Sequence, residues 1–436
     1  MKNVNKFLEQ LWQGLAYLLV FALPLQTHYL ISTRTLAGAD WEFGRIMLYA
    51  VDILLIITVI SGLMLKKINL KTGTKFDYLL IALMVISAIS VGVASDKLLA
   101  FYSLSRLSLA LALVILITKT KLDQKIIIAM IIATASIQAV WGLGQFLTQS
   151  TVANKWLGLA NHDPRLAGTS VVEAIGPDGY GERWLRAYGG LSHPNVLGGL
   201  LAISLILALW LLVNKTTDPK NNISRDWLWL IVIALLSAGL FVTFSRTALL
   251  AALLGTIILV VSQLKNWRKL LVALVTIGLT IGICSWHYGY LYQSRLEISS
   301  RLETKSTNER MDLMTQAWDL IKAKPLTGAG LANFGIAAWQ DDEIKKDVFA
   351  YQPVHNLFLL IAAEGGLVLL IIFVALLIIA IKSSWHDRDR AFKLALIAVL
   401  VSLMIFDHYL YTQALGVYLL WLVLAIVIKI DKIENN

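Results

Sequence analysis

The chain has a single cysteine, Cys284, in 436 residues. One cysteine excludes an intrachain disulfide and any cysteine-built metal cluster. Charge is also scarce: 15% of the residues are Asp, Glu, Lys or Arg, against 58% hydrophobic. A soluble protein of this size carries far more charge, about a quarter of its residues. There is no P-loop, no HExxH and no paired-cysteine motif, so the usual sequence marks of nucleotide and zinc chemistry are missing. The first apolar segment lacks a small-residue cleavage site and is expected to be a membrane span rather than a cleaved signal.

Long apolar runs are what the chain does have. They are about 20 residues each, the length at which a helix crosses the hydrocarbon core. The fold class expected is an all-α polytopic membrane protein, one transmembrane domain over 1–436, with about twelve transmembrane helices. The spans fall near 11–32, 45–65, 76–95, 98–118, 125–147, 191–213, 227–244, 246–264, 268–286, 355–381, 391–411 and 414–430. Lysine and arginine gather in alternate connections, at Lys66, Lys67, Lys71 and Lys75, at Lys119, Lys121 and Lys125, at Lys215, Lys220 and Arg225, at Lys265, Arg268 and Lys269, and in the tail at Lys429 and Lys432. The positive-inside rule then sets both termini in the cytoplasm. It also accounts for the net charge of +10 without a nucleic-acid partner. Two long loops, 148–190 and 287–354, fall outside.

External positive charge does not follow that rule, so it calls for another reason. Arg183 and Arg186 precede span six, Arg246 lies in the turn Thr243-Phe244-Ser245-Arg246, and Arg310 lies in the longer loop. One reading is that they snorkel to lipid phosphates. As a group they fit an anionic ligand better, since guanidinium forks match phosphate oxygens in pairs. Within the spans, Asp52 and Arg106 form a candidate ion pair with a structural role, and Glu364 is the remaining intramembrane acid noted.

Three constellations carry candidate chemistry. Arg186 to Asn195 runs into span six through Ser192-His193-Pro194, where a helix N-terminus would favour an anion. Ser306 and Glu309 have capping-box spacing, followed by Met311, Met314, Ala317, Trp318 and Ile321 at helical spacing, which predicts an amphipathic helix over 307–323. His355-Asn356 opens span ten, with Glu364-Gly365-Gly366 nine residues on. A lone histidine is more often structural, but His355 stands at a helix N-terminus, where the neutral and basic imidazole is favoured. Asp40 and Glu42 are an acidic pair in the first external loop, read as solvated rather than metal-binding.

The order Arg186…Pro194-Asn195, Ser245-Arg246, Asn308-x-Arg310, Pro325-x-x-Gly328-x-Gly330-x-x-x-Phe334 and His355-Asn356…Glu364-x-Gly366 resembles the O-antigen ligase/polymerase superfamily, multi-span glycosyltransferases of the GT-C type. The resemblance is strongest over 180–370. It implies a glycan donor on undecaprenyl pyrophosphate at the outer face of the bacterial cytoplasmic membrane. The acceptor would be a hydroxyl of the lipid A core or another glycan, and transfer would invert the anomeric centre. It implies no cofactor and no metal, and membrane lipids rather than nucleic acid as surroundings. His355 takes the place of the family's catalytic histidine. Arg186, Arg246 and Arg310 take the pyrophosphate, with Asn195, Asn356 and Glu364 in support. This chain has His193 where a less ionisable residue is expected before Pro-Asn. Polymerase, protein O-oligosaccharyltransferase and lipid-linked glycan transporter are the alternative readings.

Overall fold

The computed structural model describes residues 2–429 apart from 167, 177–179, 215–225, 297–300, 386 and 388. Lys215, Lys220, Arg225 and Lys432 therefore lie outside the described residues. Helix α1 (Lys2–Ala22) leads into an antiparallel hairpin of β1 (His28–Leu36) and β2 (Ala39–Tyr49). Helices α2 (Ala50–Met64), α3 (Lys75–Val93), α4 (Lys97–Thr118) and α5 (Gln124–Thr148) follow. A second hairpin, β3 (Val171–Ile175) and β4 (Gly181–Leu185), precedes α6 (Pro194–Asn214), α7 (Asp226–Val242), α8 (Arg246–Ser262) and α9 (Trp267–Leu296). Then come α10 (Arg301–Ala323), α11 (Phe334–Asp341), α12 (Leu357–Trp385), α13 (Arg390–Phe406), the single turn α14 (Tyr409–Thr412) and α15 (Ala414–Lys429).

Among the described residues, six helices, α3, α4, α5, α6, α9 and α12, are long and apolar enough to cross a membrane. The chain is thus a mostly helical protein of polytopic membrane character, and the count of twelve spans goes beyond these six. α6 has no polar face, and a helix apolar all round is stable only when surrounded. Its most apolar stretch is 94% buried, enclosed by α5, α7, α8 and α13.

The expectation of a purely helical chain is corrected by the two hairpins. Residues 11–32 do not form one span, because α1 ends at Ala22, Pro24 follows, and β1 begins at His28. Ala37 and Gly38 both take positive φ, 51° and 80°, the two-residue turn whose twist suits a hairpin. Tyr29, Leu30 and Ile31 read as membrane residues in the sequence, yet they stand exposed on this strand. Asp40 and Glu42 both lie exposed on β2.

α10 is longer than expected. It starts at Arg301, so Ser306 lies inside the helix and the Ser306–Glu309 cap does not form its N-terminus. Its buried stripe is Leu313, Ala317, Leu320 and Ile321, while Met311 and Trp318 are exposed. α9 continues to Leu296, so the expected loop from 287 begins as helix.

The Pro-x-x-Gly-x-Gly and Glu-x-Gly motifs interlock backbone to backbone. The Ala329 and Gly330 amides donate to the Ala363 and Glu364 carbonyls, both at 2.8 Å, and Leu367 N–H donates to the Pro325 carbonyl at 2.8 Å. α12 is kinked there at Gly366, with φ 78° and ψ 172°. A Cβ on Gly366 would stand 2.1 Å from the Leu326 carbonyl oxygen, and one on Gly328 would stand 2.4 Å from the Glu364 backbone. The Glu364 carboxylate completes the clasp, accepting the Ala332 amide at 2.8 Å and the Phe334 amide at 3.3 Å at the start of α11. Gly366→Ala combines a clash with a strained φ and is expected to cost on the order of 3 kcal/mol. The check is thermal unfolding in detergent; an unchanged Tm would contradict the clasp.

The anticipated Asp52–Arg106 pair is present. Arg106 Nη1 lies 2.6 Å from both Asp52 oxygens, Tyr418 donates to Asp52 Oδ1 at 2.6 Å, and both ionic side chains are buried. It ties α2, α4 and α15 together inside the bundle. At one end of the bundle the connections meet. Asn333 receives the Asp96 amide at 2.8 Å, Trp41 Nε1 donates to the Tyr351 carbonyl at 2.7 Å, and the Ala187 amide donates to the Val242 carbonyl at 3.0 Å.

Candidate active site

A buried polar chain runs across that end. Its first member is Arg186, just past β4. Its Nε donates to the Thr243 carbonyl at 2.8 Å, in the tight turn between α7 and α8. Its Nη2 donates to Asn195 Oδ1 at 2.8 Å. Arg186 is only 6% exposed, so it does not snorkel to solvent. Asn195, in the first turn of α6, passes the chain on, its Nδ2 donating to Asp407 Oδ2 at 2.8 Å. Asp407 Oδ1 then lies 3.5 Å from His355 Nδ1. That gap is about half an ångström beyond an ordinary N–H···O bond, and such pairs are often long in an unliganded enzyme.

Local sequence places each member. Asn356 caps α12, its Oδ1 accepting the Leu359 amide at 3.0 Å, which sets His355 directly before the cap and two residues before the helix. Asp407 is in extended backbone, φ −155° and ψ 163°, directly after α13. Its Oδ1 also accepts the His408 amide at 2.8 Å, which turns the chain into α14. His193 holds the N-terminus of α6. Its Nδ1 accepts the Asn195 amide at 3.0 Å, and its Nε2 lies 3.0 Å from Ser170 Oγ beside β3. An accepting Nδ1 fixes the tautomer, so Nε2 carries the proton toward Ser170.

The electrostatics follow from burial. Burial alone would raise the Asp407 carboxyl, but the neighbouring His355 imidazole, with the charges of His408 and His193, more than offsets it and holds Asp407 far below the usual carboxylate range. Burial pushes the His193 imidazole down to about 3, helped by the Arg186 charge. Burial pushes His408 down to about 3 as well, helped by His355 and by Arg310, while Asp407 opposes. Both histidines are therefore neutral near pH 7. His355 is the partly exposed one, its side chain 22% accessible.

Each expected residue can now be placed. His355, Arg186 and Asn195 come together as one chain of contacts. Arg310, on α10, is near enough to His408 for its charge to act there. Arg246 is the first residue of α8 and exposed, just beyond the Ser245 cap and the Thr243 carbonyl that Arg186 grips. Asn356 caps α12 next to His355 and Glu364 closes the glycine clasp, each through bonds to backbone amides. Asp407 and His408 were not among the expected residues. The expected span over 391–411 absorbed them, although an acid beside a histidine inside an apolar run is itself a signal. α13 ends before them, at Phe406.

Residues 231–374 match the family model described as O-Antigen ligase. That match, covering about a third of the chain, supports the O-antigen ligase/polymerase superfamily for this segment. The matched ligase segment runs from α7 into α12, so it includes Arg246, Arg310, His355 and the glycine clasp. Arg186, Asn195 and Asp407 lie outside it in sequence, and they join the ligase segment through Thr243 and His355. A search of curated proteins gave no match.

Proposed function

We propose that this protein is a glycan ligase of the superfamily. It would move a glycan from undecaprenyl pyrophosphate to an acceptor hydroxyl of the lipid A core or another surface glycan, at the outer face of the cytoplasmic membrane. The observation that carries this reading is the Arg186–Asn195–Asp407–His355 chain, which joins a cationic group to a carboxylate-backed histidine.

The chemistry needs two things. A sugar pyrophosphate leaves readily, so positive charge against the departing oxygens suffices there. The acceptor hydroxyl needs a base. In this reading Arg186, Arg246 and Arg310 hold the pyrophosphate. His355 Nε2 takes the acceptor's proton as the acceptor oxygen bonds to the anomeric carbon. The carbon–oxygen bond to phosphate breaks on the opposite face, so the centre inverts, and lipid pyrophosphate departs with the electron pair. Asp407 orients the ring through Nδ1 and stabilises the imidazolium that forms. No step requires a metal or a cofactor.

A groove of about 640 Å³ beside α5 and α7, lined by Ile137, Val140, Trp141 and Leu235, suits the polyprenyl tail. It reaches Gln145, whose side chain bonds the Gly189 carbonyl and the Tyr188 amide next to Arg186. Both termini then lie in the cytoplasm and the site faces outward. The test is transfer by the purified protein from a polyprenyl-pyrophosphate glycan to a lipid A core acceptor. A single transfer per acceptor is expected. Repeat units lengthening on the lipid carrier would instead make it a polymerase, and glycan on a protein acceptor would make it an oligosaccharyltransferase. No transfer to any of the three would contradict the reading.

A further inference from the structure

We propose that His355, Asp407 and His408 form a binding site for a divalent transition-metal ion of the Zn2+ type, and that the bound ion inhibits transfer. One ligand atom from each of the three lies within 4.8 Å of the others. Around a tetrahedral ion with bonds of about 2.0–2.2 Å the ligand atoms stand roughly 3.3–3.5 Å apart, so a modest inward movement closes the site. His355 Nδ1 and Asp407 Oδ1 already meet that spacing at 3.5 Å.

The supporting contacts are those that metal ligands need. A ligating histidine gives its other ring N–H to a neighbour, and a ligating carboxylate is itself hydrogen-bonded. His408 Nδ1 lies 2.8 Å from Thr412 Oγ1, and Thr412 Oγ1 donates onward to the His408 carbonyl at 3.4 Å. That direction makes the Thr412 oxygen the acceptor for Nδ1–H, and leaves the Nε2 lone pair of His408 for an ion. Asp407 Oδ2 is held by Asn195 at 2.8 Å, which leaves Oδ1 turned to His355. His355 Nδ1 is buried and has no hydrogen-bond partner. His355 is partly exposed, so a fourth position is open to water, as in sites with three protein ligands.

The ion and catalysis compete for one atom. As a base, His355 carries its proton on Nδ1 toward Asp407 and keeps Nε2 free. Binding an ion through Nδ1 removes that proton and takes Asp407 Oδ1 from the imidazolium. The binding half of this proposal is independent of the proposed ligase function, and the inhibitory half rests on it.

Full-length, tag-free protein in detergent would be dialysed against Zn2+, and Co2+ would be used as a spectroscopic probe. One ion per chain is expected, with the visible absorption of tetrahedral Co2+. His408→Ala should weaken binding at least tenfold. Thr412→Val, which removes only the supporting acceptor, should weaken it about 10-fold to 100-fold. Zn2+ should depress transfer, and EDTA should restore it or raise it. Absence of stoichiometric binding, or binding unchanged in both variants, overturns the site. Binding as expected with transfer unaffected or increased overturns the inhibition. Loss of all transfer even in metal-free protein would fall on the ligase reading and leave the dialysis result standing.

Discussion

His355→Ala is expected to lower glycan transfer by about 10³-fold, in the middle of the range for loss of a general base. The ring is partly exposed at the end of the bundle where the connections meet, two residues ahead of a capped helix. No other described histidine combines that access with a carboxylate partner. His408 is buried and His193 half-buried, and both are held neutral with pKa values near 3, too low for an effective base near neutral pH. Removing the imidazole leaves Arg186 and its contacts to Thr243 and Asn195 untouched. Donor affinity should therefore change little while kcat falls. Parallel measurement of turnover and of lipid-pyrophosphate binding separates the two. Loss of binding with unchanged kcat would make His355 a phosphate ligand instead.

Asp407→Asn should be almost as damaging, on the order of 10²-fold to 10³-fold in kcat. The carboxylate accepts from Asn195 and from the His408 amide and faces His355 Nδ1. An amide of the same shape keeps the size but loses the charge, and it can present N–H where an acceptor is required. The imidazole would then be held in the wrong tautomer and its cation left unbalanced, as in hydrolases whose orienting aspartate becomes asparagine. The buried turn should persist, because the isosteric side chain still fills its space. The distinguishing measurement is the ratio of the kcat loss to the change in Tm. A large drop in Tm with a small drop in kcat would make Asp407 a structural residue.

Much of this architecture was legible in the residues, and what was missed has physical causes. The helical membrane character follows from apolar runs and scarce charge. The pairing of Asp52 with Arg106 follows from the cost of leaving either alone among apolar helices, and the two do meet. The order of the glycine motifs was visible, but their meaning was not. Gly328 lies against the Glu364 backbone and Gly366 against the Leu326 backbone, pairings between segments far apart in the chain that no local pattern reports. The first hairpin was hidden because Tyr29, Leu30 and Ile31 extend the hydropathy of α1 beyond Pro24. Asp407 was hidden for the opposite reason, since one acid is averaged away in a long apolar stretch. Arg186 and Arg246 were singled out by charge on the unexpected side, and His355 by its place at the head of a span after a long loop. The sequence could not show that Arg186 reaches His355 only through Asn195 and Asp407.

The central claim is that Asp407 acts through His355 as one catalytic unit. It is tested most directly by a double-mutant cycle of His355→Ala and Asp407→Asn, with kcat for transfer measured in the purified protein. The double variant should be no slower than His355→Ala alone, because the aspartate has nothing to act on once the imidazole is gone. Losses that multiply, about 10³-fold from one and a further 10²-fold from the other, would show two independent contributions and contradict the account.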